Sequence, residues 1–205
     1  VALDYGGTTD KFVGDALVTC WGAPITYPDD GERAAKAAYA LYRAGEEFRK
    51  NVPEGVPPIG RTRVGMHYGD AIVGNFGGEG RIQYTALGDA MNTAARLEAA
   101  NKTLETKVLL SREAMERTGL DWYRPRGRIT LRGRSRPVGV FEPVPDWDEK
   151  DRAAVTAIIA AQEKGDSDSI QALGAVIKRY GEDLGLVNLL KRLKKTKNGE
   201  SYALG

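Results

Sequence analysis

Apolar and polar positions change period several times along the chain, and each change marks an element. Phe12-Val13 and the run from Ala16 to Trp21 flank Gly14-Asp15 and end at Gly22 and Pro24. This predicts two short strands folded on the Gly14-Asp15 turn. In "YPDDGERAAKAAYALYRAGEEFRK", Ala34, Ala38, Leu41, Gly45 and Phe48 form one helical stripe, with Asp29 and Asp30 where an N-cap and first turn favour acid. "VPEGVPPIG" reads as a loop, "RTRVGMHYGDAIVGNFG" as a strand, "GGEG" as a turn and "RIQYTAL" as the returning strand. "GDAMNTAARLEAANK" switches to helical spacing, with Asp89 as N-cap and Ala90, Ala94 and Leu97 as its apolar stripe. "KVLLS" is a short strand, "REAMERTG" a short helix, and "WYRPRGRITLRGRSRPVGVFEPV" two more strands. The alternation predicts an α+β fold on a largely antiparallel sheet. From about Asp146 three helical patterns follow, joined by short polar stretches. The expected division is therefore 1–145 for a mixed domain and 146–205 for a helical C-terminal extension.

Composition narrows the classes. In 205 residues, 41% are hydrophobic and 28% charged, the globular range. A net charge of +2 gives no argument for nucleic acid. No apolar stretch approaches membrane-span length and no signal-peptide pattern opens the chain, so a cytoplasmic location is expected. One cysteine, Cys20, excludes an internal disulfide; on a strand its expected role is packing. Arg124, Arg126, Arg128, Arg132, Arg134 and Arg136 alternate, which on a strand places them on one face. They read as a solvated face, or as one from which one or two arginines reach a polyphosphate. "KRLKKTK", residues 191–197, suits the C-terminal end of a helix dipole.

Candidate chemistry gathers in two places. Asn92 and Arg96 lie four residues apart and share a helix face. Thr85 stands just upstream at the end of a strand, and Lys11 and Asp15 flank the first turn. A cation, a hydroxyl, a carboxylate, an amide and a guanidinium are the groups required by a base, a metal, a ribose and a phosphate. "GNFGGEG" lacks the Lys-Ser/Thr of a phosphate loop and precedes a strand, so it reads as a hairpin turn. His67, the single histidine, reads as a packing or locally hydrogen-bonded residue.

On "DKFVGDALVTCWGAP", "VGMHYGDAIVGNFG", "IQYTALGDAMNTAARLEAANK" and "ITLRGRSRPVGVFEPV", the chain resembles the catalytic domain of class III nucleotidyl cyclases, in particular bacterial adenylate cyclases, over roughly residues 5–144. The resemblance implies a ferredoxin-like βαββαβ sandwich, two copies of which wrap head to tail with active sites at their interface. It implies Asp15 as one of two aspartates holding a pair of divalent cations, Mg²⁺ or Mn²⁺. Lys11 and Thr85 match the pair that reads the base, Asn92 the residue that orients the ribose, and Arg96 the arginine that meets the reacting phosphate. Arg132 falls where the family usually has a lysine on the terminal phosphates; it keeps the charge and adds a fork.

The implied reaction is attack of the ATP 3′-hydroxyl on the α-phosphate, with pyrophosphate leaving and 3′,5′-cyclic AMP formed. Lys11 can donate to adenine N1 and Thr85 can accept from N6, whereas guanylate cyclases typically carry glutamate and cysteine there. The family's first metal aspartate, in a Phe-x-Asp-x-x-Gly-Phe-Thr type motif, has no counterpart in these 205 residues. The chain is therefore expected to lack the first strand and the helices that follow it, and to turn over ATP poorly as it stands. Upstream sensor or membrane modules are common in the family and would lie outside this sequence. The alternatives are a non-catalytic nucleotide-binding or dimerisation module, and a guanylate cyclase.

Overall fold

A computed structural model describes residues 1–78, 80–166, 168–181, 183–196 and 200–204. Glu79 of the glycine-rich turn and Lys197 of the basic segment lie outside them. After a 3-10 turn at Leu3–Tyr5, β1 (Thr8–Val13) and β2 (Ala16–Cys20) form an antiparallel hairpin. Gly14 supplies the positive φ of 62° that its turn requires. The helix α1 (Asp30–Lys50) follows, and Asp29 takes its N-cap position.

The segment expected as one strand is two. β3 (Val64–Met66) and β4 (Ile72–Gly78) are separated at His67–Ala71 and belong to different sheets. β4 pairs in antiparallel register with β5 (Arg81–Leu87), bringing Gly74 opposite Thr85. Then come α2 (Asp89–Leu104), β6 (Val108–Ser111), α3 (Arg112–Met115), β7 (Tyr123–Thr130), β8 (Val138–Pro143), α4 (Glu149–Glu163), α5 (Ser169–Arg179), α6 (Leu184–Lys195) and β9 (Tyr202–Ala203).

The main sheet runs β3-β6-β8-β7-β9. Its central pairs, β6 with β8 and β8 with β7, are antiparallel; the outer pairs, β3 with β6 and β7 with β9, are parallel. The two hairpins stand as separate two-stranded sheets. β9 returns the C-terminal segment to the sheet edge, an addition that the helical reading of 146–205 did not contain.

Both faces of the sheet are covered. Ala35 and Ala38 of α1 pack with Val108, Leu110 and Phe141. Leu97, Ala100 and Leu104 of α2 pack with Leu109, Ile129 and Val140. α2 presents Thr93, Leu97, Ala100 and Leu104 inward, a stripe rotated slightly from the expected Ala90-Ala94-Leu97. Gly65 lets α2 lie directly on β3: a Cβ there would collide with the Ala94 carbonyl and the Glu98 amide. Helices α4, α5 and α6 enclose their own cluster of Val155, Ile159, Leu173, Val176, Leu186 and Leu189.

The arginine row is not a uniformly solvated face. Arg124 and Arg126 are 2% and 0% exposed because the C-terminal helices cover them. Arg124 donates to Glu142 at 2.7 Å and to Asp183 at 2.6 Å, and its guanidinium lies over the Trp147 ring. Arg126 donates to the carbonyls of Leu104 and Gly185. Arg192, in the basic segment, is also buried and donates to the Arg126 carbonyl. Burial pulls Arg126 down to about 9 and Arg192 to about 10, so both still carry charge at neutral pH.

Candidate active site

The two hairpins meet through polar side chains. Lys11, on β1, donates from Nζ to Thr85 Oγ1, on β5, at 2.8 Å. Thr85 is buried, while a third of the Lys11 side chain stays exposed. A packing need would place apolar groups at such a junction; here a cation and a hydroxyl face each other across 74 residues of sequence. Beside them Asp10 Oδ2 stands 3.5 Å from Lys11 Nζ.

α2 carries the second group. Asn92 is exposed and Arg96 half-buried. A Cβ built on Gly133 would lie 3.7 Å from Arg96 Nη2, so the guanidinium lies against the turn between β7 and β8, which also carries Arg132. Among the described residues Asn92, Arg96 and Arg132 make no hydrogen bond or ion pair, in contrast to Arg124, Arg126 and Arg192. Arg96, two turns into α2, and Arg132, on the turn it lies against, leave two unengaged guanidinium groups at an anion-receptive corner.

Arg134 holds that corner in shape, a role the sequence reading missed. It pairs with Asp89 at 2.9 Å and donates to the Thr93 hydroxyl, tying the turn to the first turn of α2. The same contacts correct the assignment of Asp89. Gly88 is the N-cap, Asp89 is the first helical residue, and its carboxylate serves Arg134 instead of the helix amides. The sequence did hold a signal, since Asp89 and Thr93 are one helical turn apart.

Asp15 lies exposed on the first hairpin's turn and makes no hydrogen bond or ion pair among the described residues. The Glu98 carboxyl is pushed up by burial, against Arg63, with a further push from the Asp15 charge. Within one copy no hydrogen bond or ion pair joins the Asp15 carboxylate to the Arg96 guanidinium. Among the described residues no group of three or more His, Cys, Asp and Glu is placed to hold a metal. The exposed, unpartnered Asp15 carboxylate is the kind of oxygen donor that a divalent cation takes. A two-cation cage needs more carboxylates than the described residues bring together.

His67 Nδ1 lies 2.7 Å from Ser111 Oγ, the local bond expected of it, and burial holds its pKa below the ordinary value. Cys20 is a half-buried free thiol on β2, its pKa raised by burial and then by Asp10.

The family model for the adenylate and guanylate cyclase catalytic domain matches residues 7–141. The chain belongs to this family. Class III cyclase domains are generally dependent on divalent metal. This cyclase domain is 36% identical over 145 residues to Adenylate cyclase 1 of Rhizobium meliloti (strain 1021), a match covering 70% of this chain and 22% of that protein. The chain thus spans about a quarter or less of the curated relatives it matches first. Among solved structures, the adenylyl cyclase CyaB from P. aeruginosa superposes with a TM-score of 0.61 at 32% identity, covering 70% of this chain and 74% of that one. The guanylyl cyclase Cya2 superposes at 0.57 and 25%, covering 69% and 72%. Cyclases named for either base therefore share the fold. Among the described residues no helix is long and apolar enough to cross a membrane.

Proposed function

We propose that this cyclase domain is an adenylate cyclase, forming 3′,5′-cyclic AMP and pyrophosphate from ATP within a homodimer. The observation that carries the reading is the 2.8 Å bond between Lys11 and Thr85. It holds together a donor and an acceptor whose polarity suits adenine. Lys11 donates to N1, and the Thr85 hydroxyl accepts from the N6 amino group; guanine presents the reverse pattern. Asn92 orients the ribose. Arg96 meets the charge that develops on the α-phosphate, and Arg132 binds the terminal phosphates from the adjacent turn. Asp15 holds Mg²⁺ or Mn²⁺, which when bound supplies Lewis-acid stabilisation of phosphate oxygens.

Asp15 on one copy would complete the site formed by Lys11, Thr85, Asn92 and Arg96 of the other. That neither the Asp15 nor the Arg96 side chain has a hydrogen-bond or ion-pair partner among the described residues of one copy supports this division. The 1–145 segment is the catalytic unit in this reading, and 146–205 an extension fastened to it. The test is a cyclase assay on the full-length protein with ATP or GTP and either Mg²⁺ or Mn²⁺. Cyclic AMP as the preferred product is expected. Preferred formation of cyclic GMP would replace the adenylate reading, and nucleotide binding without either product would favour a non-catalytic module.

A further inference from the structure

Asp10 is an anomaly in a short, otherwise regular hairpin. Thr9 pairs with Thr19 and Lys11 with Val18, so Asp10 is the extra residue of a β-bulge. Regular alternation would send Asp10 and Lys11 to opposite faces; the bulge lets both side chains reach the same side. The Asp10 side chain is 2% exposed, and neither carboxylate oxygen has a hydrogen-bond partner among the described residues. Its ion-pair partner is Lys11, at 3.5 Å. Cys20, on the neighbouring strand, is close enough to feel its charge. A buried carboxylate without hydrogen bonds is costly, and a valine or threonine would fit a strand better. The fold keeps it beside one ammonium group.

We propose that Asp10 is a positioning residue for nucleotide selection: its buried carboxylate anchors the Lys11 ammonium so that the lysine stays aimed at the purine edge when Thr85 releases it. The proposal rests on the adenylate reading of Lys11 and Thr85. Without substrate, Lys11 spends a donor on the Thr85 hydroxyl. When a base enters, that hydroxyl turns to the exocyclic amino group and the lysine loses its hydrogen-bond partner. A long, partly exposed lysine chain would then sample many rotamers. Asp10 retains the charge within a few ångströms of its working position.

The experiment is a double-mutant cycle in the full-length protein. Asp10→Asn, Lys11→Met and the double variant are compared by KM and kcat for ATP and GTP, and by equilibrium binding of 3′-deoxy-ATP, which cannot cyclise. Asp10→Ser is run in parallel, so that a folding failure of one replacement leaves the other to decide. Asp10→Asn is expected to raise the KM for ATP about tenfold, leave kcat within about twofold, and narrow the preference for ATP over GTP. In the Lys11→Met background the same change should leave KM within about twofold, because the anchored group is gone. It should also raise the thermal midpoint of that background, by removing a stranded buried charge. An equal effect of Asp10→Asn in both backgrounds, or none in the first, overturns the proposal. If Lys11→Met leaves ATP selectivity unchanged, the adenylate reading itself fails; if Lys11→Met abolishes selectivity and Asp10→Asn does not alter it, the Asp10 role alone fails.

Discussion

Lys11, Thr85 and Arg96 differ from most polar residues of the domain in having little structural reason to be where they are. Arg96 makes no ion pair or hydrogen bond among the described residues, so Arg96→Ala should leave the thermal midpoint within about 1–2 °C. If it meets charge on the reacting phosphate, kcat should fall by about 10²–10³-fold. A large loss of stability with little loss of kcat would make it a scaffold residue. The base-reading pair has its own test. Lys11→Glu with Thr85→Cys reverses the donor and acceptor pattern and should turn preference from ATP to GTP; retained preference for ATP would remove that role from both residues. These residues were legible because their chemical types are awkward for packing and suited to a nucleotide. Arg124 and Arg126 were not legible in the same way. An alternating arginine row looks identical whether water or a later segment of chain covers it, and the covering helices lie some 60 residues downstream.

Between elements, buried charge is what fastens the C-terminal helices to the sheet. Asp183 caps α6 by accepting from the Leu186 amide while also pairing with Arg124. Burial alone would raise the Asp183 carboxyl, but the Arg124 bonds more than offset it and hold it below the ordinary value. Arg124→Ala strands Asp183, leaves Glu142 with Arg126 alone at 3.8 Å, and should cost about 3–5 kcal/mol, read by chemical denaturation. Arg124→Met with Asp183→Asn should recover part of that loss, since the Asp183 charge is then gone while Glu142 keeps its Arg126 partner. His67 adds a pH dependence. Its folded pKa is lowered by burial, so its contribution is complete above the ordinary value of 6.5 and is lost as pH falls through the folded value. His67→Gln should flatten the decline of the thermal midpoint between about pH 7 and pH 5; an unchanged slope would place that decline elsewhere. Element boundaries were harder to read than element types. "VGMHYGDAIVG" keeps β-forming residues throughout, and only three-dimensional pairing divides it, because β3 joins β6 whereas β4 joins β5. β9 is two residues long and has no periodicity to detect.

At the scale of the whole molecule, one copy leaves two groups its proposed chemistry needs, Asp15 and Arg96, without partners among its described residues. Arg96 lies against the Gly133 turn, and neither its guanidinium nor the Asp15 carboxylate makes a hydrogen bond or ion pair among the described residues. Two-fold symmetry resolves this if each copy lends its acidic turn to the other's guanidinium. Asp15→Ala and Arg96→Ala would then each abolish both sites of a homodimer. After mixing and subunit exchange, half of the dimers would be mixed, and each mixed dimer would hold one site with both residues intact and one with neither. Equal amounts of the two inactive proteins should therefore recover about a quarter of wild-type activity. Sites contained within a single chain would give no recovery at any mixing ratio, because every copy would carry its own defect. At fixed total protein the recovery should follow the product of the two concentrations, passing through a maximum at equal amounts. A linear rise with either protein alone would instead reveal residual activity in that variant.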